Sequence, residues 1–146
     1  MYLISACLIG EQVKYDGNDN FHEVAKQLVD HNLAIPVCPE VLGGMTVPRI
    51  PSEIVGDSVF SKTGEDVTHF FMNGAQKTLK IAKENHVTIA ILQARSPSCG
   101  SKQVYDGTFS GRLIEGQGIT TSLLEQHGIR VITIEEYIKD YYEQDF

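Results

Sequence analysis

The apolar run VTIAILQ, residues 87–93, constrains the fold more than any other stretch. It is short, rich in β-branched residues, and shows no apolar–polar alternation. A strand with one wet face alternates, whereas a continuous run belongs to a parallel sheet covered on both faces. Parallel neighbours cannot be joined by tight hairpins, so helical crossovers must flank this strand in sequence. Residues 66–86 place Phe71, Ala75, Leu79 and Ala82 on one helical face, with Asp66 or Thr68 as the cap. Residues 119–128 read as another helix, stopped by Gly128.

The alternation extends towards both ends. MYLISAC (1–7) reads as a buried first strand, HEVAKQLVDHN (22–32) as a helix with Val24, Leu28 and Val29 at helical spacing, and LAIPVC (33–38) as a second strand. IRVITI (129–134) is the last strand and EEYIKDYYEQ (135–144) the last helix. The consecutive Phe70, Phe71 and Met72 read mainly as core. Two long connections, 39–65 and 102–118, interrupt the pattern. The first is expected to be mostly irregular, and loops of that length inside a compact domain usually carry function. The expected fold is α/β: one compact domain over residues 1–146, with a mostly parallel sheet flanked by helices and right-handed crossovers.

Three cysteines mark the carboxyl ends of three of these strands. Cys7 ends the first strand, Cys38 ends the second, and Cys99 lies just beyond the third in SPSCGS (96–101). Ligands of parallel α/β sheets bind at that edge. A lone cysteine is commonly a small buried hydrophobe. Three at equivalent strand ends, each with glycine or proline nearby, favour a shared site over core packing. No CxxC pair exists, so a thioredoxin-like couple and a zinc knuckle both lose support. Zinc needs a fourth ligand, and none of His22, His31, His69, His86 and His127 is near a cysteine in sequence. An iron–sulfur cluster with three protein ligands and one open iron remains.

Composition narrows the partners. The net charge of −7 argues against a protein that tracks phosphates along a large nucleic acid. No segment approaches the roughly 18 apolar residues of a membrane helix. The apolar N-terminus has no basic leader and reads as a strand rather than a signal peptide. An odd number of cysteines fits a reducing cytoplasm better than a disulfide framework.

The blocks SACLIGEQVKYDG, PVCPEVLGGMTVPRIPSEI, DVTHFFMNGA, SPSCGS and YDGTFSGRLIEGQGIT occur in that order and span nearly the whole chain. Together they resemble the thiouracil desulfurase family. The resemblance implies a 4Fe–4S cluster on Cys7, Cys38 and Cys99, with an open iron that accepts the sulfur of a thiolated base such as 2-thiouracil. It implies non-redox hydrolysis of the C–S bond, a small thio-base as substrate, and iron–sulfur assembly machinery as a partner. A soft thiocarbonyl sulfur suits a soft iron site.

Glu40, two residues after Cys38, is the candidate acid/base by resemblance and proximity. The plainer reading of Glu40 is a loop carboxylate paired with Arg49. Ser96 and Ser98 are both candidates to bind substrate or shuttle a proton, with Ser96 slightly favoured. Tyr15, Asp16, Tyr105 and Asp106 are candidates to contact a flat heterocycle, weighed equally against simple turn chemistry at each Asp-Gly. Arg49 is a candidate to neutralise the cluster or bind the Glu40 loop. Two rival classes stay open: a non-catalytic cluster-binding or redox-sensing module, and a metal-free thiol-dependent hydrolase. The sequence leaves the oligomeric state open.

Overall fold

A computed structural model describes residues 1–146. Strand β1 (Tyr2–Ser5) runs into a 3-10 turn over Ala6–Ile9. Helix α1 (Glu23–Asp30) is capped by His22, whose Nδ1 accepts from the Val24 N–H, and leads to strand β2 (Ala34–Val37). A single helical turn, α2 (Pro39–Leu42), follows at once, with proline at a position where a missing N–H is harmless. The connection expected to be irregular then forms an antiparallel hairpin of β3 (Ser52–Val55) and β4 (Ser58–Ser61). Helix α3 (Thr68–Glu84) leads to β5 (Ile89–Ile91), with Asp66 accepting from the Thr68 N–H at its start. The second long connection also holds a hairpin, β6 (Gln103–Tyr105) with β7 (Leu113–Glu115). Helix α4 (Ile119–Gln126), strand β8 (Arg130–Ile132) and helices α5 (Ile134–Asp140) and α6 (Tyr142–Asp145) complete the chain. The last helix is therefore two, broken at Tyr141.

The central sheet is parallel throughout, in the order β2-β1-β5-β8. Successive strand residues point to opposite faces. Leu3, Ala90 and Val131 join Leu79, Ala82 and Leu124 of α3 and α4 in one core. Their neighbours Ile4, Ile91 and Ile132 join Ala25, Leu28 and Tyr137 of α1 and α5 in the other. Burial on both faces is what the unalternated run at 87–93 demands. Phe71 is buried beneath the β3–β4 hairpin while Met72 faces solvent.

The chain goes from β1 to one side to make β2, then to the other side to make β5 and β8. A crevice opens where two neighbouring strands are followed in opposite lateral directions. The β1–β5 boundary is that place, and the two hairpins lie at its mouth. No helix is long and apolar enough to cross a membrane.

Candidate active site

The strand ends bring all three cysteines to one cavity of about 590 Å³. Cys7 sits in the turn after β1, Cys38 immediately before α2, and Cys99 in the turn after β5. All three are free thiols. The SPSCGS turn is built around its first serine: Ser96 Oγ accepts from the Cys99 N–H at 2.7 Å, and the Ser96 carbonyl accepts from Gly100 at 3.0 Å. Thr121 of α4 fixes the turn from behind by donating to the Cys99 carbonyl at 2.8 Å. Asn20 grips Cys7 twice, with its backbone N–H on the carbonyl at 2.9 Å and its side-chain amide 3.7 Å from Sγ.

Burial pushes all three thiols above the usual cysteine range, Cys99 most strongly, with the Glu40 charge adding to the shift there. Asn20 pulls Cys7 part of the way back. No histidine lines the cavity. The protein alone thus keeps these sulfurs as thiols, and a coordinated metal would reverse that balance by deprotonating them.

Glu40 lines the cavity on α2, its side chain 17% exposed. Arg49 donates from Nε to Glu40 Oε1 at 3.2 Å, from Nη2 to the Val13 carbonyl at 2.9 Å, and from Nη1 to the Thr46 carbonyl at 3.1 Å. Arg49 stands behind Glu40 rather than on the cavity wall. Burial raises the Glu40 carboxyl above the usual range, and Arg49 lowers it in part.

The two candidate serines separate. Ser96 lines the cavity, whereas Ser98 is buried behind it with Oγ 2.8 Å from Thr120 Oγ1. The two Tyr-Asp pairs divide in the same way. Tyr15 and Tyr105 line the cavity. Asp16 accepts from the Asn18 N–H, and Asp106 from the N–H and hydroxyl of Thr108, so each closes its own turn.

Sequence reasoning missed Glu53, Phe109, Asn20, Lys62 and Arg95, all on the cavity wall. Glu53 lies on β3, and its hairpin had a readable signal: Gly56-Asp57 between two strands, with Gly56 at φ 63°. Nothing local marks Phe109, because its place depends on a partner far away in sequence.

Residues 2–136 match the 2-thiouracil desulfurase family. The chain belongs to that family. The chain is similar to the uncharacterized protein YbbK of Bacillus subtilis (strain 168), 44% identical over 146 positions covering 93% of this chain and 97% of YbbK. Among solved structures, the 4Fe–4S-dependent thiouracil desulfidase TudS is similar with a TM-score of 0.92 and 36% identity, over 99% of this chain and 97% of TudS.

No three or more His, Cys, Asp and Glu side chains are grouped to hold a single ion. Three soft thiols instead border a larger space, with no imidazole on its wall and with the nearest hard donor, Glu40, already engaged by Arg49. That donor set suits an iron–sulfur cluster.

Proposed function

We propose that this protein is a 4Fe–4S-dependent desulfidase that hydrolyses the C–S bond of a thiolated nucleobase such as 2-thiouracil. The observation that carries the reading is the convergence of Cys7, Cys38 and Cys99 on one cavity that also holds Glu40 and Ser96. Family membership and the likeness to TudS support it. A cluster held by Cys7, Cys38 and Cys99 would supply a soft Lewis acid to a thiocarbonyl sulfur.

The overall change balances without electrons: C=S and water become C=O and hydrogen sulfide. Glu40 takes a proton from the attacking water and returns one to the departing sulfur. Arg49 engages Oε1, which leaves Oε2 for that exchange. Ser96 Oγ already accepts from the Cys99 N–H, so its own hydrogen is free to bind a carbonyl or ring nitrogen of the base. Ser98, bonded to Thr120, braces the turn. Tyr15 and Tyr105 flank the base. Asp16 and Asp106 shape the loops that carry those tyrosines.

A metal-free thiol hydrolase draws no support here, because burial disfavours every thiolate and no histidine lines the wall. A cluster carrier without catalysis accounts for Glu40 as the partner of Arg49 but not for its place on the cavity wall. On the desulfidase reading, the protein works in the cytoplasm and receives its cluster from the iron–sulfur assembly machinery.

The test is iron and sulfide content after anaerobic reconstitution, followed by 2-thiouracil turnover in the same sample. Cluster with release of uracil and sulfide is expected. Cluster without turnover favours a carrier, and failure to bind iron overturns the ligand set.

A further inference from the structure

Four non-glycine residues have a left-handed backbone: Asn32, His86, Arg95 and Phe109. Asn32 and His86 stand just past α1 and α3, where such a residue is an ordinary way to end a helix. Arg95 and Phe109 have no helix end to serve, and both line the cysteine cavity. A phenylalanine at φ 57° is held against its own preference, so the surroundings must impose it.

Glu53 imposes it. This carboxylate on β3 is only 8% exposed and has no cationic partner. Its Oε1 accepts from the backbone N–H groups of Gly107 at 2.9 Å and Phe109 at 3.2 Å. Such charge-assisted bonds are strong, and a buried carboxylate needs them. They pin the β6–β7 loop onto the other hairpin. Gly107 permits the approach: its φ is 93°, and a Cβ there would lie 2.7 Å from the Ile54 carbonyl oxygen.

The clamp leaves Phe109 on the cavity wall, along with Tyr15 and Tyr105. Phenylalanine has no polar atom to offer a substrate. What it offers is a flat π-face, which every nucleobase matches and a small aliphatic thioamide does not.

We infer that Phe109 is a specificity-determining residue that stacks on the heterocyclic face of the substrate, and that Glu53 is the positioning residue that holds it there. The inference rests on the thio-base reading of the site and deepens it.

The test uses anaerobically reconstituted protein, equilibrium dialysis with uracil, and steady-state kinetics with 2-thiouracil. Phe109→Ala is expected to weaken uracil binding about tenfold and to raise KM by more than it lowers kcat. Phe109→Gly is expected to lose the same affinity while melting no lower than wild type, since glycine adopts this backbone without strain. Glu53→Ala is expected to weaken binding, and Glu53→Gln to restore it, because an amide oxygen still accepts both N–H bonds. Wild-type affinity in both Phe109 variants overturns the stacking role. Equal losses in Glu53→Ala and Glu53→Gln overturn the positioning role. Wild-type protein that binds neither uracil nor 2-thiouracil overturns the thio-base reading, and this inference with it.

Discussion

Gly74 of α3 packs so tightly against Pro39 of α2 that a Cβ on it would lie 1.9 Å from the Pro39 carbonyl oxygen. The contact is mutual: a Cβ on Gly43 would lie 2.0 Å from the Phe70 carbonyl oxygen. Two backbones thus touch where side chains normally intervene. Pro39 stands between Cys38 and Glu40, so this contact sets the position of both. In an unobstructed helix interior, glycine to alanine stabilises by about 1 kcal/mol. Here Gly74→Ala is expected to destabilise by roughly 1–3 kcal/mol, the usual cost of overpacking, and to lower iron content by shifting Cys38. Thermal melting and iron analysis check both. A gain in stability with full iron content would show that α2 does not depend on this contact.

Each cysteine is expected to matter to the same degree. Cys7→Ala, Cys38→Ala and Cys99→Ala should each lose the cluster, measured as iron and acid-labile sulfide after anaerobic reconstitution. Full retention in any variant removes that residue from the ligand set.

Glu40→Gln keeps the shape and the Arg49 contact but removes the proton carrier. Turnover of 2-thiouracil is expected to fall about a hundredfold or more, with iron content preserved. Wild-type turnover ends the acid/base assignment.

The two serines should fail in different ways. Ser98→Ala strands the buried Thr120 hydroxyl and is expected to cost about 1–3 kcal/mol of stability, with a smaller effect on kcat than Ser96→Ala. Ser96→Ala removes a hydroxyl from the cavity wall and is expected to lower kcat. Denaturant unfolding paired with kinetics separates them. The opposite pattern would transfer the functional role to Ser98.

Much of this arrangement was legible in local sequence. The unalternated run at 87–93 required a covered parallel strand, and the turns after the strands announced where the thiols would gather. What stayed hidden depends on partners distant in the chain. Ser96 and Ser98 differ by two residues, and only Thr120 in α4 shows which of them faces inward. Glu40 meets Arg49 because the chain folds back after α2. The short hairpin strands lack the length that makes periodicity readable, although Gly56-Asp57 marked one of their turns. The Glu53 clamp joins hairpins from separate connections, and no local pattern encodes it.

The position of β1 between β2 and β5 also orders events during synthesis. Cys7 and Cys38 emerge early and can pair their strands at once. Cys99 cannot take its place until β5 has docked on the far side of β1, and its turn is not braced until Thr120 and Thr121 of α4 arrive. A nascent chain therefore offers two thiols long before the third. On the desulfidase reading, a cluster fitted to all three cysteines finds a complete pocket only once most of the chain has left the ribosome.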